Sequence, residues 1–317
     1  MVFSPGNLVN SGSGETTKSF EISPGTQVSH VRLRVYSIER SLLFYDGLLG
    51  FKLVRKTDGN ALLSVDGSGD GNYLIHLSKV SKEHRLIEGE RTAARRAGLF
   101  HFAILLPSRK YLANVFKHLT ENSNQLCFEG AADHLVSESL YLRDPDSNGV
   151  EIYRDRDHSE WVRTGPFQVK MSTEHLDLDQ LYSEADSIRQ WSMPDKTVIG
   201  HVHLHVSNLQ ASKRFYSEIL GLHHTCVYPG ANFFAANSYH HHVATNTWLG
   251  TNIQKADPRE PGLDHFALRV ESKENYERLL EQLKSMNITA IQNEGDKINK
   301  HSIFIYDPDR IKIQIYY

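Results

Sequence analysis

The stretch SHVRLRVYSIERSLLFYDGLLGF, from Ser29 to Phe51, decides how the rest of the chain is interpreted. It aligns without a gap with GHVHLHVSNLQASKRFYSEILGL, from Gly200 to Leu222. His30 falls opposite His201, and the apolar and small residues recur at equivalent positions throughout the match. A repeat of this length is typical of a duplicated structural unit.

The match resumes further along both halves of the chain. GLFHFAI, from Gly98 to Ile104, aligns with GLDHFAL, from Gly262 to Leu268. DPDSNGVEIY, from Asp144 to Tyr153, aligns with DPDRIKIQIY, from Asp307 to Tyr316. Each half therefore carries three matching segments in the same order, which indicates that the whole chain is a tandem duplication.

The pattern inside the repeat predicts its secondary structure. Polar and apolar residues alternate over residues 30–35, as in a strand with one apolar face. Apolar residues at helical spacing follow over Ile38 to Leu49, with Ser37 as the cap and Gly50 as the stop. Three short runs separated by turns come next, KLVRK, ALLSVD and NYLIHL. The unit is βαβββ, and a second begins at Phe100. We therefore predict an α+β protein in which tandem pairs of βαβββ modules form cup-shaped barrels.

The repeat also predicts the domain boundaries. Residues 1–25 are a flexible tail, 26–157 a metal-bearing domain of two modules, 158–197 a linker, and 198–317 a second domain. The tail lacks the charged start and apolar core of a secretory signal, and no apolar run is long enough to span a membrane. These features favour a cytoplasmic protein with no membrane partner.

Composition places the chain among ordinary globular proteins. Apolar residues make up 39% and charged residues 23%, with a formal net charge of −3. These values argue against disorder and against a polycation that binds nucleic acid. The two cysteines, Cys127 and Cys226, are far apart, so neither a disulfide framework nor a thiolate metal site is expected. A homo-oligomer is left open.

Three residues of the first half suggest a metal site. His30 and His101 each begin the first strand of a module, and Glu151 lies in a last strand. If the two modules of residues 26–157 close into one cup, these side chains converge. Two imidazoles and one carboxylate suit a non-haem Fe(II) with positions left open for substrate and oxygen.

The segment ADHLVSESLYLRDPDSNGVE, from Ala132 to Glu151, resembles the signature of type I extradiol ring-cleavage dioxygenases, a family of the vicinal-oxygen-chelate (glyoxalase) superfamily. Ala132 and Ser147 depart from the signature at two small residues in predicted turns. Over residues 27–317 the chain looks most like the Bacillus-type catechol 2,3-dioxygenase group. The residues that carry the signature are His134, Leu140, Tyr141, Asp144, Pro145 and Glu151.

The resemblance implies an oxidoreductase of aromatic catabolism that cleaves a small aromatic diol with O2. It makes His30, His101 and Glu151 the ligands of Fe(II), with Mn(II) as the alternative metal. It further implies three residues that act on substrate and oxygen, although His76 is placed only by its spacing from His30. These are His76, His134 and Tyr141.

The second half keeps the histidines of the repeat but loses the other groups. His201 and His265 are retained. The residues opposite Glu151, Tyr141 and His134 are Gln314, Phe304 and Lys297. A neutral amide is a poor replacement for a carboxylate on a divalent ion, so the second domain is predicted to hold a degenerate site. SYHHHVATNTW, from Ser238 to Trp248, leaves a second metal open.

Two alternative functions remain on the same scaffold. One is a glyoxalase-like lyase or isomerase, in which His76 becomes a fourth ligand to Zn(II), Ni(II) or Mn(II). The other is a protein that binds small molecules without catalysis. Metal content and the need for O2 distinguish the three hypotheses, because a glyoxalase works anaerobically and a pure binder needs no metal.

Overall fold

A computed structural model describes residues 19–69, 71, 73–80, 95–122, 127–187, 190–255, 257–293 and 301–317. The first 18 residues of the predicted tail, most of the loop after Val80, and Lys297 lie outside the described residues. Sixteen strands are described, in four groups of four, and each group has its helix after the first strand. The predicted α+β fold of βαβββ modules is therefore confirmed.

The first two modules contain β1 to β8 and two helices. Their elements are β1 (Gln27–Val35), α1 (Ile38–Leu42), β2 (Lys52–Lys56), β3 (Asn60–Ser64), β4 (Ile75–Lys79), β5 (Gly98–Leu106), α2 (Arg109–Asn122), β6 (Cys127–Asp133), β7 (Ser137–Arg143) and β8 (Gly149–Asp155). A single 3-10 turn, His158–Glu160, and α3 (Leu178–Ser183) follow in the segment between the halves.

The third and fourth modules repeat the pattern. Their elements are β9 (Val198–His205), α4 (Leu209–Lys213), β10 (His223–Tyr228), β11 (Ala231–Ala235), β12 (Val243–Asn246), β13 (Gly262–Arg269), α5 (Lys273–Ser285), β14 (Ile291–Gln292), β15 (Ile303–Tyr306) and β16 (Lys312–Tyr316). Every helix among the described residues is too short and too polar to cross a bilayer.

The helices α1 and α4 begin and end as the repeat predicts. The side chain of Ser37 accepts a hydrogen bond from the backbone amide of Arg40, so it caps the first turn. Each helix then widens into a π-helical turn, Leu43–Leu48 and Arg214–Ile219. Gly50 follows the first of these with φ +83°, and a Cβ there would lie 2.8 Å from the backbone nitrogen of Met193. Only glycine combines that backbone conformation with so close an approach.

The modules pair across the halves of the chain. One eight-stranded sheet has the order β14-β15-β16-β13-β1-β4-β3-β2, and the other has β10-β11-β12-β9-β5-β8-β7-β6. The first module is thus joined to the fourth through β1 and β13, and the second to the third through β5 and β9, both antiparallel. The expectation that the two modules of residues 26–157 close into one cup is wrong. We call the two sheets the terminal sheet and the central sheet.

The physical reason for this error is the similarity of the four first strands. The pattern of β1 recurs in β9 and that of β5 recurs in β13, so the sequence does not distinguish which first strands form an antiparallel pair. The assignment of residues 26–157 and 198–317 as domains stays a prediction of sequence units. The sheets cut across those units.

The two sheets share one continuous core. Leu33 and Phe266 from the terminal sheet, and Phe102 and Leu204 from the central sheet, are completely buried in it. Full burial of an apolar side chain of this size stabilises a fold by about 1.5–3 kcal/mol. The terminal and central sheets are therefore held together by this common core.

Two equivalent aspartates tie each sheet to the other. The Tyr45 hydroxyl, from the first module, donates to Asp144 of the central sheet at 2.8 Å. The Tyr216 hydroxyl, from the third module, donates to Asp307 of the terminal sheet at 3.1 Å. Each aspartate also accepts backbone amides of its own turn. The DPD segments of the repeat are thus turns whose first aspartate joins one sheet to the other.

Asp307 should make stability depend on pH. Burial raises the pKa of this carboxyl to about 7, against roughly 3.9 in an unfolded chain. Between these values the folded state holds the proton more tightly, so stability falls as pH rises through the window. We expect the unfolding free energy of wild type to decline relative to Asp307→Asn by up to about 1.4 kcal/mol per pH unit between pH 5 and pH 7. Urea titrations of both proteins measure it, and a difference that does not change with pH would contradict it.

Candidate metal centre and pocket

Three buried side chains of the central sheet converge on one point. Nε2 of His101 lies 2.9 Å from Oε2 of Glu151, and Nε2 of His201 lies 3.1 Å from the same oxygen. They are brought together by strand register, because Ala103 of β5 pairs with both Glu151 in β8 and His201 in β9. The three residues lie in neighbouring strands and are at most 6% exposed.

The protonation states suit a divalent metal ion. Burial alone would raise the pKa of Glu151, but His201 and His101 outweigh it and hold the pKa well below its usual range. Burial lowers the pKa of His201 to about 4. At neutral pH the set is therefore an ionised carboxylate beside a neutral imidazole, which is the form in which these side chains ligate metals. The Ser139 hydroxyl donates to the other carboxylate oxygen at 2.6 Å and fixes its orientation.

His134 and Tyr141 form a hydrogen-bonded pair beside these residues. Nδ1 of His134 lies 2.7 Å from the carbonyl oxygen of Ser172, so this nitrogen is the donor. Nε2 of the same ring then accepts the Tyr141 hydroxyl at 2.7 Å. Burial, and next the charge of Glu151, raise the pKa of Tyr141 well above its usual value. The phenol therefore stays protonated at neutral pH.

A cavity of about 320 Å³ opens above these residues. His101, Glu151 and His201 are part of its lining, together with His134 and Tyr141. A volume of this order accommodates a small ligand. The walls are largely apolar and are built by Phe100, Leu142, Met171, Tyr228, Phe233 and Trp248.

The predicted linker takes part in this cavity. Met171, Ser172 and Thr173 line it, and Glu174 is bridged to Asp133 at the end of β6. The segment between the halves is therefore one wall of the pocket as well as a connection. Sequence gave no sign of this, because the segment is polar and lacks periodicity.

Two further pocket histidines were missed in the sequence. His203 and His241 line the cavity, and the Nε2 atoms of both are buried without a hydrogen-bond partner among the described residues. Buried polar atoms of this kind are normally satisfied, so the pocket is suited to an occupant with polar groups. The available signal was the alternation of His201, His203 and His205 on β9, and the run His240 to His242, which lies in the turn before β12.

His30 and His76 do not belong to this site. His30 lies in β1 of the terminal sheet, where its Nε2 is 3.1 Å from both Oε1 of Gln314 and the hydroxyl of Tyr73. Nε2 of His76 lies 3.0 Å from Oδ1 of Asn60 in the same sheet. The predicted grouping of His30 with His101 and Glu151 is wrong, because it assumed that modules pair within each half. The spacing argument for His76 fails with it.

The terminal sheet holds a counterpart of the metal centre without its charge. Nε2 of His265 also lies 3.1 Å from Oε1 of Gln314, whose amide nitrogen donates to Ser302. His30, Gln314 and His265 occupy the repeat positions of His201, Glu151 and His101. Tyr73 and His241 each stand two residues before equivalent strand positions. The groups that could hold a metal among the described residues are His101/Glu151/His201 and His201/His240/His241.

Comparison with known proteins agrees with the geometry. The sequence profile of the Glyoxalase/Bleomycin resistance protein/Dioxygenase superfamily matches residues 27–152 and 198–315. The chain belongs to this superfamily, as the resemblance of its sequence implied.

Its relatives include a dioxygenase of similar length. The chain is 37% identical over 276 residues to catechol-2,3-dioxygenase of Bacillus subtilis, which covers 86% of this chain and 93% of the relative. Among solved structures, glyoxalase I of Zea mays superposes with a TM-score of 0.53 at 15% identity, covering 92% of both chains. A candidate dioxygenase of Bacillus subtilis superposes with a TM-score of 0.59 at 11% identity, covering 94% of this chain and 86% of its own. At these identities the two superpositions show the fold alone.

Proposed function

We propose that the protein is an extradiol dioxygenase that uses Fe(II) and O2 to cleave a catechol-type diol beside its hydroxyl groups. The observation that carries this is the buried set of two histidines and one carboxylate, His101, His201 and Glu151, at the floor of an apolar pocket. Such a set on one face suits Fe(II) and leaves positions open. The similarity to a catechol-2,3-dioxygenase over 86% of the chain supports the same reaction and substrate class.

A bound divalent metal would supply a positively charged centre for the oxygens of a diol and for O2. His101, Glu151 and His201 would hold it, with the carboxylate offsetting part of its charge. Because the pocket walls are apolar, a flat aromatic ring can replace water there, which strengthens every electrostatic contact inside.

The chain's other groups handle protons and hydrogen bonds. Nε2 of His241, like that of His203, is buried at the cavity wall with no partner among the described residues. We assign the proton-accepting role to His241, because its Nδ1 contacts His240 and so leaves Nε2 as the nitrogen free to accept a proton from a catechol hydroxyl. The Tyr141 hydroxyl stays protonated and can turn from His134 to donate to an oxygen of the substrate. His134, held by Ser172, can then take or return that proton through Nε2.

The structure gives less support to the glyoxalase-like and the non-catalytic hypotheses. A lyase site with His76 as fourth ligand would need that histidine in the central sheet, whereas it lies in the terminal sheet. A binder without catalysis would have no use for a buried ionised carboxylate between two imidazoles, which is costly unless a cation is bound there. The cytoplasmic location and a homo-oligomeric state stay predictions.

The test uses protein loaded anaerobically with Fe(II) and mixed with a panel of catechols. We expect about one O2 consumed per catechol and a yellow ring-opened semialdehyde, with neither formed after chelation. Samples loaded with Zn(II) or Ni(II) serve as controls. Turnover of an α-keto thiol adduct without O2, in those samples, would instead establish a glyoxalase-like enzyme.

A further inference from the structure

A chain of hydrogen-bonding groups lies behind the pocket wall. His241 lines the pocket, and its Nδ1 is 2.7 Å from Nδ1 of His240. Nε2 of His240 lies 3.1 Å from Oδ1 of Asp155, at the end of β8. The sequence of contacts therefore runs from the pocket through two imidazole rings to a carboxylate that is 21% exposed.

The partners determine which nitrogen of each ring carries a hydrogen. An ionised carboxylate can only accept, so Nε2 of His240 must be the donor to Asp155. A neutral His240 then has a bare Nδ1, which accepts from Nδ1 of His241. A neutral His241 with its hydrogen on Nδ1 has a bare Nε2. That is the nitrogen left to the pocket, and no described residue bonds to it.

Neighbouring groups hold the carboxylate and the first ring in place. The Tyr239 hydroxyl donates to both oxygens of Asp155, at 3.1 and 3.0 Å. The rings of Tyr239 and Trp161 pack on His240, with centroids 4.1 and 5.4 Å away. His240 is 1% exposed, so bulk solvent does not compete for the hydrogen bonds of its ring nitrogens. The orientation of His240 is fixed from three sides.

We propose that Asp155 and His240 are positioning residues that fix His241 in the tautomer whose bare Nε2 accepts the substrate's proton. This rests on the proposed function, since it concerns the same pocket and the same reaction. A carboxylate that orients a histidine in this way is known to act by setting its tautomer, and its loss lowers turnover without loss of the site.

The rival explanation is a second metal at His201, His240 and His241. Nε2 of His201 already contacts Glu151, so His201 could join such a site only through its Nδ1. His240 and His241 would have to give up the contact between their Nδ1 atoms, or His240 its contact with Asp155, to ligate a metal. A direct contact of 2.7 Å between the Nδ1 atoms instead fits one hydrogen between two nitrogens. We therefore favour the hydrogen-bonded arrangement.

The kinetic test changes Asp155→Asn, with Asp157→Asn as the matched control. Asp157 is two residues away, is exposed and caps a single turn. Its replacement by Asn removes the same charge from the same segment without touching His240. We expect kcat of Asp155→Asn to fall about ten- to a hundredfold, with KM and iron content close to wild type. In a His241→Asn background the same substitution should cost nothing further, because its effect passes through His241.

Two outcomes of the kinetic test would overturn the proposal. Loss of iron in Asp155→Asn would assign the cluster to metal binding, and an equal loss of kcat in the His241→Asn background would assign Asp155 a structural role. A spectroscopic arm does not depend on the reaction. In full-length Zn(II)-loaded protein with ¹⁵N-labelled histidine, NMR should show His241 protonated at Nδ1, and mixed tautomers in Asp155→Asn. If that signature holds while no catechol is cleaved, the proposed function fails and the positioning role stands. A His241 protonated at Nε2 in wild type would refute it.

Discussion

His201→Asn is expected to abolish metal binding and activity, whereas His30→Asn leaves both close to wild type. The two histidines are repeat equivalents at the same strand position, and each is 2% exposed. His201 contacts the ionised Glu151 at 3.1 Å, while His30 contacts the neutral amide of Gln314 at the same distance. Only the first pair offers a divalent ion both a lone pair and a negative charge. Loss of one of three protein ligands should lower activity by more than the roughly 10- to 100-fold typical of residues that merely support a ligand.

Iron per chain, measured on protein purified under identical anaerobic conditions, decides between the two sites. Each variant removes an imidazole from a buried cluster, so thermal unfolding must accompany the assay to show that both remain folded. Equal metal content in the two variants would mean that His201 is not a ligand. Loss of iron in His30→Asn alone would return the metal to the terminal sheet and contradict the central-sheet assignment.

Glu151→Gln should have an effect of similar size while disturbing the fold little. The substitution keeps the shape of the side chain and removes the charge that offsets a divalent cation. The chain already contains the resulting arrangement, since Gln314 lies 3.1 Å from both His30 and His265 and is 1% exposed. We therefore expect a melting temperature within a few degrees of wild type, with iron and oxygen-dependent turnover lost together. Activity that survives at full iron content would show that the carboxylate is not a ligand.

Ser139 also contacts the carboxylate of Glu151. Its hydroxyl donates to Oε1 of Glu151 at 2.6 Å, whereas His101 and His201 contact Oε2. Ser302 is its repeat equivalent and instead accepts a hydrogen bond from the amide nitrogen of Gln314 at 3.2 Å. Both clusters thus keep a serine contact, and the charge of Glu151 is what separates them.

Local structure and family were within reach of the sequence. The cap at Ser37 and the stop at Gly50 followed from their residue types, and the repeat correctly predicted four βαβββ modules. The superfamily is confirmed by the profile match over both halves. The structure also brings His134 to Tyr141 and His101 to Glu151, two groupings that the resemblance to extradiol dioxygenases implied.

The sequence does not show which of the first strands pair with each other. His30 and His201 have the same neighbours in the same alternating pattern, so nothing local favours one over the other as the third member of the site. That choice depends on β5 pairing with β9, a contact between residues about a hundred positions apart. The same error led to His76 as the expected proton-accepting histidine, a role that we propose for His241 in the turn before β12. Once the modules are paired correctly, the run at His240 falls beside the pocket without further assumptions.

The pairing of modules across the halves also bears on how this duplicated chain can change over time. After a duplication one copy is commonly free to drift while the other keeps the function. Here neither half is a spare, because Glu151 and His101 come from one half and His201 and His241 from the other. The division between constrained and freely varying positions therefore runs through each half. In each half, one module carries residues of the proposed site and the other carries its uncharged counterpart, with Gln314, Phe304 and Tyr73 at the positions of Glu151, Tyr141 and His241.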